Sequence, residues 1–189
     1  MARPRSVDKR QAILVAATEV IAAMGTGAAT ARISEAAGVA QGTLFTYFKD
    51  KDALLNELYL ELKRELRDTK VSGSPVSGTL IDRARAMWDR YVNWGLFSPS
   101  KRRALNQLAV SEQVTAANKH IAAAMFTEVD AILDEGLATG PLKHQPADFA
   151  RAIMIAMAET TIEFIEREPE RAESYKRSGF EAFWRAVSR

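Results

Sequence analysis

Cysteine is absent from the 189 residues, and histidine occurs only twice. The first absence excludes a disulfide framework and any thiolate metal site. His120 and His144 stand alone, with no histidine or cysteine partner three or four residues away, so no zinc site and no other metal is expected. Long apolar runs are also missing. The longest extends only from Ala152 to Ala158, far short of the roughly 20 residues that span a bilayer, so no membrane partner is expected. No paired carboxylates, glycine-rich phosphate loop or nucleophile–base arrangement stands out, which argues against an enzyme, and no cofactor is expected. The basic start runs directly into an amphipathic helix containing Glu19, so it does not read as a signal peptide, and the expected compartment is the cytoplasm. Proline is scarce, and after Pro4 every one falls between predicted helices.

What remains is a globular, helical chain. Apolar residues make up 47% of it, with ordinary charge content. Ile13, Ala16, Ala17, Val20, Ile21 and Met24 repeat at helical spacing, after Ser6 as a plausible N-cap; Gly25 and Gly27 end that helix, and Thr30 is the expected cap of the next. Asp50 reads as the cap of a long helix striped by Leu54, Leu55, Leu58, Leu62 and Leu66. The stretch 71–78 is the clearest loop. Thr79 and Asp82 form a capping-box pattern that opens a helix to about Phe97. Further helices are expected over 100–110, 115–139 as one long element, 146–167 and 169–187, and no strand alternation is found.

The most informative stretch is 33–51. Ile33, Ala36 and Ala37 form one apolar stripe, Gly38 sits where a left-handed residue closes a helix, and Val39 fits the corner. Leu44 and Phe48, four apart, face inward and leave Gln41, Gly42, Thr43, Phe45, Thr46 and Tyr47 on or near the outer side. Two short helices joined by a glycine turn are the helix-turn-helix geometry that lays its second helix in a DNA major groove. Hydroxyls, an amide and an exposed aromatic suit phosphates and base edges. Thr43, Tyr47, Lys49 and Lys51 are expected on phosphates, Gln41, Gly42 and Thr46 against bases, and Phe45 on a thymine methyl or a sugar. Charge agrees in direction. Residues 1–51 hold seven Lys/Arg against four Asp/Glu, a surplus of +3, whereas the remainder holds nineteen against twenty.

At these positions the chain resembles the tetracycline-repressor (TetR) family of transcriptional regulators. The resemblance is carried by Ile33, Ala37-Gly38-Val39, Gly42, Leu44, Phe45, Tyr47-Phe48, Lys51-Asp52 and Leu54, and it covers about 8–55. The departures are Ala40, where the family usually has a capping Ser or Thr, Phe45 in place of Tyr, and Ser34 in place of Ala. The resemblance implies a palindromic operator in double-stranded DNA, a small-molecule effector, and use of the fourth helix as a lever.

The expected fold class is all-α with about nine helices. A three-helix DNA-binding domain covers 1–52, with the helix-turn-helix at about 29–48, and a helical ligand-binding and dimerisation bundle covers 53–189. Candidate effector-binding residues are Met87, Trp88, Tyr91, Trp94, Asn106, Met125, Phe126 and Met157, an apolar and aromatic set with one amide. The helices 147–167 and 172–187 each carry two apolar stripes and so must be buried on two sides. Burial on two sides fits internal core helices or an isologous homodimer; the resemblance implies the dimer, with Ile153, Met157, Phe164, Tyr175, Phe180 and Trp184 at its interface. The expected function is that of a repressor released from DNA when the effector binds. The alternative is a helical small-molecule-binding protein or enzyme whose vestigial head no longer reads DNA, and Ala40 and Phe45 are the features in its favour.

Overall fold

Apolar spacing of three and four along most of the chain produces ten α-helices and one 3-10 turn among the described residues, with no strand. The computed structural model describes residues 7–71, 78–138 and 141–188. The basic arm with Arg3 and Arg5, expected either to fray or to touch DNA backbone or minor groove, the expected cap Ser6, and most of the 71–78 loop fall outside them. The helices are α1 (Val7–Met24), α2 (Thr30–Ala36), α3 (Gln41–Tyr47), α4 (Lys51–Val71), α5 (Leu80–Phe97), α6 (Pro99–Val110), α7 (Ala116–Ala124), α8 (Thr127–Leu137), α9 (Ala147–Arg167) and α10 (Ala172–Val187). The 3-10 turn, Pro169–Arg171, precedes α10.

The chain divides into two compact units that do not follow its order. One takes the residues up to Glu65 together with Ser98–Met125, and the other takes Leu66–Phe97 and Phe126 onward. In the first unit Ile13, Ala17, Ile33, Leu44, Phe48, Leu54 and Leu55 are buried together with Leu105 and Leu108 of α6. Burying an aliphatic side chain contributes about 1.5–3 kcal/mol, so this core fixes the short helices α2 and α3, which are too short to persist alone. In the second unit α5, α8, α9 and α10 pack around Trp88, Phe180 and Phe183, all enclosed. The Trp88 ring stacks on Phe183 at 5.8 Å and meets Phe180 edge-on at 6.3 Å, while its indole N–H donates to the Lys176 carbonyl at 3.1 Å.

Two local expectations need correction. The single helix expected over 115–139 is two helices, because Met125 and Phe126 leave helical pairing and Phe126 starts α8 with φ −117°. No glycine or proline marks this break; it falls where the chain passes from one unit to the other. Thr30, expected as the cap of α2, is its first helical residue, and Ala29 occupies the cap with no side-chain hydrogen bond. The capping box of α5 forms as expected: the Thr79 N–H donates to the Asp82 carboxylate at 3.0 Å, and the Asp82 N–H to the Thr79 hydroxyl at 3.4 Å.

Candidate nucleic-acid interface

The corner between α2 and α3 is built by Gly38. Its φ of +64° is a conformation that costs a β-carbon-bearing residue about 1–2 kcal/mol. The Gly38 N–H donates to the Glu35 carbonyl at 3.0 Å and the Val39 N–H to the Ser34 carbonyl at 2.9 Å. This pair is the Schellman closure, which satisfies two carbonyls that a helix end leaves open. Ser34, the polar departure inside this corner, is buried with its hydroxyl donating to the Ala31 carbonyl at 3.0 Å.

The chain then enters α3 through Ala40, whose extended backbone caps the helix without a side-chain acceptor. Leu44 and Phe48 are fully buried, while Gln41, Gly42, Phe45 and Thr46 are exposed and Thr43 and Tyr47 are half-buried. Phe45 is 42% exposed, a large apolar side chain left in water beside an amide and hydroxyls. The Thr46 hydroxyl donates to the Gly42 carbonyl at 3.0 Å, leaving its lone pairs outward. The Gln41 amide donates to the Thr30 hydroxyl at 3.3 Å, which restricts a side chain that would otherwise sweep freely. Lys49 is exposed and Lys51 half-buried, and between them Asp50 caps α4 by accepting from the Ala53 N–H at 2.7 Å. The outer surface of α3 therefore offers donors, acceptors, an aromatic edge and two ammonium groups over a rigid apolar base.

Sequence reasoning missed the residues that hold this base in place. Arg10 of α1 pairs with Glu57 of α4, and its guanidinium lies 5.7 Å from the centre of the Phe48 ring. Asn56 of α4 is buried and bonded to the corner between α6 and α7. A polar residue interrupting the leucine stripe was the available signal for Asn56, but its partners lie more than fifty positions away.

Among the effector candidates, Met87, Trp88, Tyr91, Trp94, Phe126 and Met157 lie in the second unit, whereas Asn106 and Met125 lie in the first. Trp88 has its ring enclosed and its N–H paired, so it builds the core. The Tyr91 hydroxyl donates to Glu159 at 2.8 Å. Trp94 is buried, and its indole N–H has no hydrogen-bond partner among the described residues. On α9, Ile153 and Met157 are half-buried and Phe164 exposed, with Phe149, Ala152, Ala156 and Thr160 exposed on the same helix. Tyr175 and Trp184 of α10 are half-buried. Phe180 departs from its expected place on an interface: it is fully enclosed in its own chain, between Trp88, Phe183, Trp184 and the Arg85 guanidinium, because the aromatic cluster needs it at its centre. The described residues contain no cluster of three or more potential metal ligands. None of their helices is long and apolar enough to cross a membrane.

Residues 13–58 match the family model described as bacterial regulatory proteins of the tetR family. An uncharacterized HTH-type transcriptional regulator of Bacillus subtilis (strain 168), YhgD, is 35% identical over 63 residues, a stretch spanning 33% of this chain and 33% of that relative. The crystal structure of a tetR family transcription regulator from Shewanella sp. PV-4 superposes with a TM-score of 0.84 at 27% identity, covering 98% of this chain and 100% of that one. A TetR family regulator from Marinobacter aquaeolei VT8 gives 0.82 at 21%, with 95% of each chain covered. LfrR from Mycobacterium smegmatis, solved in complex with proflavine, shares the fold at 0.68 and 17% identity, covering 96% of this chain and 98% of that one.

Proposed function

We propose that this chain, whose residues 13–58 match the tetR family model and whose fold is that of solved tetR family regulators, is a DNA-binding transcriptional regulator of that family, a repressor released from a palindromic operator by a small molecule. The observation that carries the proposal is α3 itself. Leu44 and Phe48 lock it down while Gln41, Gly42, Phe45 and Thr46 stand outward, beside Lys49 and Lys51. In this reading Thr43, Tyr47, Lys49 and Lys51 hold phosphates, Gln41, Gly42 and Thr46 meet bases, and Phe45 lies on a thymine methyl or a sugar. The functional division we propose lies at 52/53, with DNA contact before it and sensing and pairing after it. It is a division of roles, since the compact unit that carries α3 also takes in Ser98–Met125.

Two copies would pair through α9 and α10, where the exposed Phe149, Ala152, Ala156 and Phe164 adjoin Ile153, Met157, Tyr175 and Trp184. An isologous pair would present two copies of α3 to half-sites about one helical turn, roughly 34 Å, or a multiple of it apart. The effector would bind among Met87, Tyr91, Trp94 and Phe126, where the unpartnered Trp94 indole supplies a donor. LfrR, which shares the fold, was solved in complex with proflavine, and this supports a small organic molecule as the effector. By favouring a conformation with the wrong head spacing, the effector would lower operator affinity, a coupling of about 1–3 kcal/mol.

The test is duplex binding at two salt concentrations, using fragments of bacterial genomic DNA. Wild type should bind with a steep salt dependence. Lys51→Ala should weaken all sequences alike and reduce the salt slope by about one counterion, whereas Gln41→Ala should change which sequence is preferred. Failure to bind any duplex at low salt overturns the reading.

A further inference from the structure

Asn56 is a buried amide whose bonding capacity is filled in one direction. Its Nδ2 donates to the carbonyl of Asp52 on its own helix and to the carbonyl of Gln113, each at 2.8 Å. Its Oδ1 accepts from the Thr115 backbone N–H at 2.9 Å and from the Asn118 side-chain amide at 2.7 Å. Gln113 adds a second tie, donating through Nε2 to the Asp52 carboxylate at 3.0 Å. Val114, between these partners, is buried. The corner they form is itself stiffened, because the Thr115 hydroxyl caps α7 by accepting from the Asn118 N–H at 3.2 Å.

The neighbouring residue on α4 faces another way. Glu57 pairs with Arg10, which lies beside the Phe48 ring at the end of α3. Consecutive residues of one helical turn therefore grip two regions, the reading head through Glu57 and the 111–118 corner through Asn56. Apolar contacts can slide, but this joint cannot. One donor bond and two accepted bonds of Asn56 cross to the corner, with the Gln113–Asp52 bond beside them, and they meet only in one register, so a shift of the corner along α4 would strand buried polar groups.

We propose that Asn56 is a positioning residue that makes the α6–α7 corner part of the DNA-reading machinery: the place of that corner sets how α4 holds α3. The proposal rests on the reading of α3 as a DNA-binding helix. Reciprocity then requires that duplex on α3 change the corner.

The experiment takes a duplex that wild type selects from a random-sequence pool and measures backbone amide exchange of the full chain with and without it. Binding itself is followed by fluorescence anisotropy. In wild type, exchange at residues 113–118 should slow several-fold on binding. Asn56→Asp sets a carboxylate against the two carbonyls. It should weaken duplex binding by about tenfold and abolish the response of the corner. Asn118→Ala removes a single bond and serves where Asn56→Asp does not fold. It should still bind duplex, with a clearly smaller response at 113–118.

A corner whose exchange ignores the bound duplex in wild type overturns the inference. So does a response that survives unchanged in the variant. A merely structural Asn56 would give that second result, with a lowered melting temperature and an unaltered response. If wild type binds no duplex, anisotropy reports it directly, and the DNA-binding reading falls together with the inference. If duplex binds and the corner is silent, only the inference falls.

Discussion

The unit that carries α3 and the unit built from α5, α8, α9 and α10 bury similar aliphatic residues but are joined differently. In the first, helices distant in sequence are tied by directional polar contacts. Arg10 meets Glu57, Ser100 meets Glu19 at 2.7 Å, Lys101 holds both carboxylate oxygens of Glu65 at 2.7–2.8 Å, and Asn56 clasps the 113–118 corner. The second has ion pairs too, such as Arg83 with Glu135 at 2.6 Å, but its centre is a stack of aromatic rings. Directional bonds specify where one helix lies against another, and an exposed pair contributes less than about 1 kcal/mol of stability. Aromatic packing buries far more apolar area and contributes more energy. The contrast fits the roles proposed above, in which the first unit aims at DNA and the second takes an effector.

The largest test of that contrast is Phe183→Ala. Phe183 is fully enclosed against Trp88 and Phe180, so its removal should cost about 3–5 kcal/mol, read as a lowered thermal unfolding midpoint. Protein still folded should bind duplex with an unaltered salt slope. A mutant that melts normally would remove the claim that the aromatic stack is the second unit's main support.

Two glycines in that same unit sharpen it with opposite signs. A β-carbon on Gly179 would lie within 3 Å of the Thr161 hydroxyl and of Trp88 Cζ2. Gly179→Ala should therefore destabilise by about 1–3 kcal/mol. On Gly136 of α8 the nearest atoms belong to Trp184 at 3.6 Å, an ordinary contact. Gly136→Ala should stabilise by up to about 1 kcal/mol through helix propensity. Chemical denaturation reads both, and two shifts of the same sign would contradict the packing described.

How much could be read beforehand follows the same division between local and distant causes. The α2–α3 corner was legible because Gly38, Val39, Leu44 and Phe48 decide it within a dozen residues. The capping box at Thr79 and Asp82 and the cap at Asp50 were legible for the same reason. The break at Met125–Phe126 was not, since apolar spacing continues through it and only the passage between units interrupts the helix. Phe180 was placed on an outer stripe because periodicity reports that a face is buried, not which chain buries it. Asn56 was invisible because an amide in a leucine-rich helix has no local signature of partners 57–62 residues away.

A smaller effect is expected at the entrance to α3. Ala40 offers no side-chain acceptor to the first turn. Ala40→Ser should supply one and stabilise the first unit by about 0.5–1 kcal/mol. The gain should appear as slower amide exchange in 41–47, with none in α9 or α10. A gain spread evenly over both units would mean that they unfold as one, and the comparison would lose its energetic content.

The smallest effect belongs to the second unit and depends on pH. Burial raises the Asp89 carboxyl above the ordinary aspartate range, more than the nearby Lys176 and Arg85 lower it, and Glu173 adds to the rise. A carboxyl with a raised folded-state value binds its proton more tightly when folded. The stability it lends is therefore complete below the unfolded value, near pH 4, and is lost as pH climbs through the folded one. Asp89→Asn, neutral throughout, should be slightly more stable than wild type at pH 7, with the difference shrinking as pH falls toward about 4. Denaturation at several pH values measures this. An advantage that did not shrink in acid would trace to the shape of the amide, and a disadvantage at pH 7 would mean that Lys176 and Arg85 hold Asp89 as a directional tie beside those of Trp88, Tyr91 and Arg83 in this unit.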